Sequence, residues 1–470
     1  MEIFIKILYV VAAVLFIFGI KLLSQVKSAK KGNLISALGM LTAVIAILLK
    51  MNFITGTIGL STIIAGLVVG GLIGLILARQ VPMTAMPELV AVFNGVGGGA
   101  SAMVALSFLY ANKGGSLETV TAVTVVLSLI IGTLTFSGSI IAFLKLKGWI
   151  KGEPIVFLGN NYLNLALLLG IFYFAFQAIS LSIININEQS LLKFFILMGL
   201  ALVLGVLLVT PIGGADMPVV ISLLNSYSGL AAASTGFVLN NLVLIISGSL
   251  VGASGIILTK IMCKAMNRSL SNVLFGGFGQ ADSSSQQGQS GEYENVKATS
   301  AQEVAMLLES VKNVVIIPGY GLAVAQAQHA VQELTTLLEK RGVEVKFAIH
   351  PVAGRMPGHM NVLLAEANID YDKLKDLDEI NNEFKNTDFV YVIGANDVVN
   401  PAAIEDEQSP IYGMPILNAH EAGTVVIVKR SLSPGFANIK NGLFERSNSL
   451  MYFEDAKKAT EDIIKELKEL

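Results

Sequence analysis

Apolar residues follow two regimes along this chain. Up to residue 262 they form long runs broken by short polar stretches; beyond residue 292 they come in short bursts separated by amphipathic segments. A helical residue rises about 1.5 Å, so about 20 mostly apolar residues cross a hydrocarbon core of about 30 Å. Runs near 3–23, 34–50, 53–78, 84–111, 120–143, 155–182, 191–210, 217–234 and 236–262 reach or approach that length. The pattern predicts about nine transmembrane helices, with 34–50 the shortest and the break between the last two the least marked. In the second regime Val314–Ile317, Val343–Ile349, Phe389–Ile393 and Thr424–Val428 read as buried strands, and a helix pattern runs up to Arg341 between the first two. Strands without polar alternation, separated by helices, predict a parallel sheet covered on both faces. The expected architecture is a polytopic α-helical membrane domain followed by an α/β Rossmann-like doubly wound domain.

Charge sharpens the division. Of 470 residues only 14% are charged against 53% hydrophobic, whereas a soluble domain averages about 25% charged. Residues 1–275 hold 15 Lys/Arg and 6 Asp/Glu, and residues 276–470 hold 17 and 28, giving net charges of +9 and −11. Lipid is the expected solvent of the first part and water of the second. With an outside N-terminus, one set of loops carries Lys27, Lys30, Lys31, Arg79, Lys145, Lys147, Lys151, Lys264 and Arg268, and the other only Lys50, Lys113 and Lys193. Basic residues favour the cytoplasmic side, so the C-terminal part is expected there. Segment 3–23 does not read as a signal peptide, because its positive charges follow the apolar run. Residues 276–291 are 13 parts in 16 Gly, Ser or Gln, a composition that stays flexible. The expected domains are therefore 1–270 in the membrane, a linker over 271–300, and a soluble domain over 301–470. One cysteine, Cys263, excludes an internal disulfide framework, and no Cys/His cluster at metal-ligand spacing is present. An overall net charge of −2 offers no nucleic-acid footprint.

Small-xxx-small spacings at Gly66/Gly70/Gly74, Gly95/Gly99 and Gly248/Gly252 are helix-packing signals. Polar residues within the apolar runs say more: Glu88, Asn94, Asn160, Asn161, Asn164, Asn225, Asn240, Asn241 and Ser254. A polar side chain at membrane depth either pairs between helices or lines a pathway. Asp216, the sole Asp of residues 1–275, lies in the helix-breaking stretch Pro211–Pro218. That places it at a cytoplasmic helix end, as a cap or as a contact to the soluble domain.

In the soluble part Val314–Ile317 runs into Gly319-Tyr320-Gly321-Leu322-Ala323-Val324, then a helix and a second strand. That order is the dinucleotide-binding arrangement, although a strand–helix turn of any α/β fold could also read Gly-x-Gly-x-x-Val. NAD sites usually end the second strand on an acid; here it ends Ile349-His350-Pro351, and Arg355 follows. The strand Thr424–Val428 ends in Lys429-Arg430-Ser431, two cations and a hydroxyl suited to a 2′-phosphate. Together these favour NADP over NAD, the alternative being a solvated basic strand end. Gly394-Ala395-Asn396-Asp397 closes a further strand at the same edge, and Ser433-Pro434-Gly435-Phe436 reads as a candidate lid.

Several longer runs are similar to one family. Residues 319–328, 353–366, 394–402 and 429–431, with the membrane runs 213–220, 224–229 and 262–269, resemble the beta subunits of proton-translocating NAD(P) transhydrogenases. The resemblance implies hydride transfer between NADH and NADP+ coupled to proton movement across a bacterial inner membrane. It implies NADP(H) on this chain and NAD(H) on a separate alpha subunit that adds further helices, in a dimer of alpha–beta units. By the same resemblance Gly319, Tyr320 and Gly321 approach the cofactor, with Ala323, Val324, Ala353, Gly354, Met356, Pro357, Gly394 and Asn396 around it. Arg355 and Asp397 belong near the nicotinamide or pyrophosphate, Lys429, Arg430 and Ser431 at the 2′-phosphate, and Gly435, Phe436 and Ala437 in the closing loop, Phe436 standing where a Tyr is commoner. Asn94, Asp216, Asn225 and Ser254 fall to the proton path and its coupling. Many family members carry a His at the position of Asn94; Asn cannot titrate, so the titrating group is expected on the partner. The competing reading is a nucleotide-gated transporter or channel with a Rossmann sensor. Such a module usually carries Gly-x-Gly-x-x-Gly and an acid after strand two, and this chain has neither.

Overall fold

The computed structural model describes residues 2–23, 28–52, 56–152, 154–157, 159–275, 293–356, 358–435, 437 and 439–470. They form two compact units, Met1–Thr259 and Lys260–Leu470. Nine described helices are long and apolar enough to cross a membrane: α1 (Glu2–Leu23), α2 (Ala29–Asn52), α3 (Gly56–Gln80), α4 (Met86–Ala111), α5 (Thr119–Leu146), α6 (Asn160–Ile184), α7 (Glu188–Val209), α8 (Met217–Val238) and α9 (Leu242–Ala265).

Three boundaries differ most from those expected. The second span, expected over 34–50 as the shortest, is α2, which starts at Ala29 and at 24 residues is longer than α1, α7 and α8 at 22 each. The run from 155 starts its helix only at Asn160, because Ile155 N–H donates to Thr210 O at 3.3 Å and Gly159 turns the chain at φ +90°. The break before the last span falls at Leu239–Asn241 rather than near 235. Asn240 takes φ +49°, and the Asn241 side-chain oxygen accepts from the backbone N–H of Val243 at 3.1 Å and of Leu244 at 3.3 Å. Those two asparagines end one helix and start the next, the local role short polar side chains fill best.

Small residues set the interior of this unit. A Cβ added at Gly98 would lie 2.7 Å from Gly132 O, one at Gly229 2.5 Å from Gly252 N, and one at Gly248 2.5 Å from Ala233 N. Backbones of α4 and α5, and of α8 and α9, therefore touch directly. At Gly66, Gly70 and Gly74 an added Cβ meets nothing within 4 Å.

The second unit continues with α10 (Leu270–Phe275), α11 (Ala301–Glu309), β1 (Asn313–Pro318), α12 (Tyr320–Val324), α13 (Gln328–Lys340), β2 (Glu344–Ile349), α14 (His359–Glu366), β3 (Leu374–Asp376), α15 (Leu377–Ile380), β4 (Phe389–Ile393), α16 (Ala402–Glu405), β5 (Thr424–Lys429), β6 (Ser449–Phe453) and α17 (Ala456–Glu469). All strand pairs are parallel, in the order β3-β2-β1-β4-β5-β6. This is the doubly wound order of dinucleotide-binding folds. Val390, Val392, Val425 and Ile427 are fully buried, which accounts for their unbroken apolar runs. The helix expected up to Arg341 is two helices, α12 and α13, parted at Gln326, whose φ is +52°. Of the expected linker, 276–292 lie outside the described residues. Residues 293–299 belong to the folded unit: Ala298 bridges Met451, and Thr299 N–H donates to Met451 O at 2.9 Å.

Candidate functional site

Strand order reverses between β1 and β4, and the loops leaving their carboxyl ends meet there. Gly319 N–H donates to Ile393 O and Gly321 N–H to Gly394 O, both at 2.9 Å. A Cβ on Gly321 would lie 2.6 Å from Gly394 Cα, and one on Gly319 would strike Gly394 O and the Ala395 backbone. The glycine pair thus lets two loops close on each other at the crevice where open α/β sheets bind ligands. Ala323 is buried in α12 and Val324 is exposed.

Beside this crossing stands a column of rings. The Arg355 guanidinium lies 4.4 Å from the Tyr320 ring centroid, and Tyr320 tilts against His359 at 6.3 Å. Arg355 N–H donates to His359 Nδ1 at 3.0 Å. Gly354 takes φ +107° with no room for a Cβ against the His359 ring. Burial, helped by the Arg355 charge, pushes the pKa of His359 down to about 4, so the ring stays neutral and Nδ1 stays an acceptor. His350, at the end of β2, is also held neutral, its pKa pushed to about 4 by burial, with Nε2 2.8 Å from Pro415 O. The position that carries an acid in NAD sites is therefore a buried imidazole. Ala353 and Met356 are buried beneath the same turn; Pro357 lies outside the described residues.

The third group gathers around the end of β5. The Lys429 ammonium donates to Ser433 O at 2.6 Å and lies 5.1 Å from the Phe444 ring centroid. Turned so that its oxygen meets donors, the Asn396 amide accepts from Lys429 Nζ and Gly435 N–H, each at 2.8 Å. Burial pushes the Lys429 pKa down to about 8, against the opposing pull of the Asp397 charge. Asp397 is buried, and its Oδ2 accepts from Ala437 N–H at 3.1 Å. A Cβ on Gly435 would collide with that carboxylate, so glycine lets Gly435 and Ala437 lie against Asp397. Arg430 and Ser431 are exposed, and Ser431 Oγ bonds Ser433 Oγ at 2.8 Å. Phe436 lies outside the described residues.

In the membrane unit Asn94 is buried on α4 and donates to Ile221 O at 3.3 Å, one turn before the half-buried Asn225 on α8. Asp216 sits at the N-cap of α8, but its side chain makes no capping bond there, which removes the cap reading. Ser254 is exposed on α9, its hydroxyl returning to Val251 O at 3.1 Å. The structure also brings in Lys145, which the sequence presents only as a loop charge. It is buried in the last turn of α5 and donates to Thr210 O at 2.5 Å and Ile212 O at 2.8 Å, holding the segment that leads to Asp216. Its partners are backbone atoms 65 and 67 residues away, so no local pattern announces it.

A bundle of membrane-crossing helices joined in one chain to a doubly wound domain with a basic carboxyl edge defines a membrane protein built around a dinucleotide fold. A family model described as the NAD(P) transhydrogenase beta subunit matches residues 5–466. Two sequences named NAD(P) transhydrogenase subunit beta, from Rhodospirillum rubrum and from its strain ATCC 11170, are each 48% identical over 462 residues, covering 97% of this chain and of each relative. The chain belongs to the NAD(P) transhydrogenase beta subunit family.

Proposed function

We propose that this chain holds NADP(H) along the carboxyl edge of its sheet and exchanges a hydride with NAD(H) carried by an alpha subunit, while protons cross through the helical unit. The observation that carries the nucleotide assignment is the pairing of Lys429-Arg430-Ser431 at the end of β5 with a buried neutral His350, rather than a carboxylate, after β2. The residues present fit that cofactor: glycines close the crevice to side chains, and cations stand where a 2′-phosphate would need them. When bound, the nicotinamide supplies the hydride chemistry itself, with no protein base required in that step.

The chain's own work is placement. Lys429, Arg430 and Ser431 take the 2′-phosphate, Arg355 and Tyr320 bracket the crevice, and the segment carrying Gly435 and Ala437, which meet Asp397, acts as the lid. Asn94 and Asn225 orient water between α4 and α8; neither can titrate, so the proton-accepting group belongs to the alpha subunit. Asp216, held by the Lys145-anchored segment, couples proton movement to nucleotide affinity. One elementary charge crossing 100 mV is worth about 2.3 kcal/mol, enough to bias affinity tens-fold through reciprocal linkage. The N-terminus faces outside and the nucleotide domain the cytoplasm of a bacterial cell, and two alpha–beta units form the working assembly.

The test is hydride transfer from NADH to NADP+ by this chain and its purified alpha subunit, in sealed vesicles containing a pH-sensitive dye. NADP+ reduction with a dye response abolished by a protonophore is expected. Preference of the chain for NAD+ over NADP+, or reduction without a dye response, overturns the proposal.

A further inference from the structure

Two routes run from the first described residue after the linker to the Lys429 ammonium. By the first, the Tyr293 ring stacks on Phe444 with centroids 5.8 Å apart and planes 28° from parallel. The same Phe444 ring, fully buried, carries the Lys429 ammonium at 5.1 Å. By the second, Tyr293 Oη accepts from Asn441 N–H at 3.0 Å. The buried Asn441 side chain donates to Asn396 O at 3.1 Å, and the Asn396 side-chain amide, turned so that its oxygen meets the donors beside it, lies 2.8 Å from Lys429 Nζ. Tyr293 is itself held from the other side, with the Lys440 ammonium 5.0 Å from its ring centroid and paired to Glu445 at 2.8 Å. Glu445 also receives the Glu294 N–H at 2.8 Å.

We propose that Tyr293 is a positioning residue for Lys429 and so a determinant of 2′-phosphate selectivity, which makes the linker's exit part of the nucleotide site. The inference rests on the reading of Lys429 as a 2′-phosphate ligand. A planar ring pressed on Phe444 fixes the face over which the cation settles, and attraction of a cation to a ring face strengthens away from water. The hydroxyl fixes Asn441 and, through it, the loop carrying Asn396. An ammonium on a four-carbon stem is otherwise free among many rotamers; these contacts choose one and aim it at the end of β5. NAD+ lacks the group that Lys429 addresses, so Tyr293 should bear on NADP+ and leave NAD+ alone.

The experiment uses the full chain with its alpha subunit. KM and kcat for NADP+ are read from NADH-driven reduction, and NADP+ and NAD+ affinity from equilibrium dialysis on the full chain. Tyr293→Ser removes both routes and should raise the KM for NADP+ about tenfold, with kcat within about twofold and NAD+ affinity unchanged. Tyr293→Phe keeps the ring and loses only the hydroxyl route, so a rise of about threefold is expected. Both effects should vanish in a Lys429→Ala background, because coupled residues are not additive. A wild-type KM in Tyr293→Ser, equal weakening of both nucleotides, or effects that persist without Lys429 overturns the inference. Where Tyr293→Ser fails to fold, the threefold rise in Tyr293→Phe and its loss with Lys429→Ala decide alone. If Lys429→Ala leaves NADP+ preference intact, the underlying phosphate assignment is what fails; if it abolishes preference while Tyr293 is silent, only this inference falls.

Discussion

Burial weakens the hold of Lys429 on its proton, and the consequence can be read against pH. Its pKa stands at about 8 rather than near 10.5 because the ammonium is largely withdrawn from water. Between those values the unfolded chain binds the proton that the folded one releases, so the empty domain gains stability as pH rises through that window. Nucleotide binding runs the other way. A 2′-phosphate favours the charged amine, so NADP+ affinity should hold up to about pH 8 and then fall by up to about tenfold per unit. Lys429→Arg should stay flat, since a guanidinium keeps its proton; titrating Kd from pH 7 to 10 in both proteins checks this, and parallel curves would refute it. Gly435 offers the companion test. A Cβ there collides with the Asp397 carboxylate, so Gly435→Ala should prevent the loop from lying down. Faster NADP+ release, by about tenfold or more, is expected for the roughly 1–3 kcal/mol of an overpacked contact; an unchanged release rate would show that the loop plays no part in retention.

Elements carry the same physics over longer distances. The α5 end is tied to the segment after α7 by one ammonium on two carbonyls, Thr210 and Ile212. Hydrogen bonds to a charged group are worth about 1.5–3 kcal/mol each when the alternative is a buried orphan. Lys145→Met should therefore lower the thermal midpoint of the detergent-solubilised chain, with Lys145→Arg recovering part of the loss; equal midpoints would mean that water already satisfies those carbonyls. How much of this was legible in the sequence follows from range. Spans, strands and the Gly-x-Gly turn depend on composition and short spacings, and so about nine membrane-crossing helices and a parallel doubly wound sheet could be read directly. The helix break at Gln326 could not, because Ala-Gln-Ala-Gln contains no breaker, yet Gln326 takes φ +52°. Glycine spacing was informative for Gly248 and Gly252, which meet α8, but Gly66, Gly70 and Gly74 show the same spacing beside open space. In the site, Lys429 and Asp397 were visible as residue types at strand ends. Their partners Phe444, Asn441 and Tyr293 were not, since those lie at distances in sequence that no motif spans.

At the scale of the whole molecule, hydrogen bonds sort loops of the helical unit into two ends. Lys113, after α4, pairs with Glu188 at the start of α7, and Gly114 N–H donates to Ile186 O at 2.9 Å. Those loops share one end. At the start of α6 and the end of α7, Gly214 N–H donates to Gly152 O at 2.7 Å, and Lys145 reaches Thr210 O and Ile212 O; these form a second end. Lys147 and Lys151 lie with the second group and are exposed. Excess Lys and Arg mark the cytoplasmic face because retained positive charge orients short loops during insertion. The end holding Gly152 should then face the cytoplasm and the end holding Lys113 the outside. A Cys263→Ser background removes the single native thiol, so new cysteines report without interference. In that background Asn112→Cys should react with a membrane-impermeant maleimide on spheroplasts and Gly148→Cys should not, with the order reversed in inverted vesicles. Labelling of both from one side would break the charge argument. Reversed labelling would place the nucleotide domain outside the cell, where the cytoplasmic pyridine nucleotide pool could not supply it, and the proposed hydride exchange would lose its substrate.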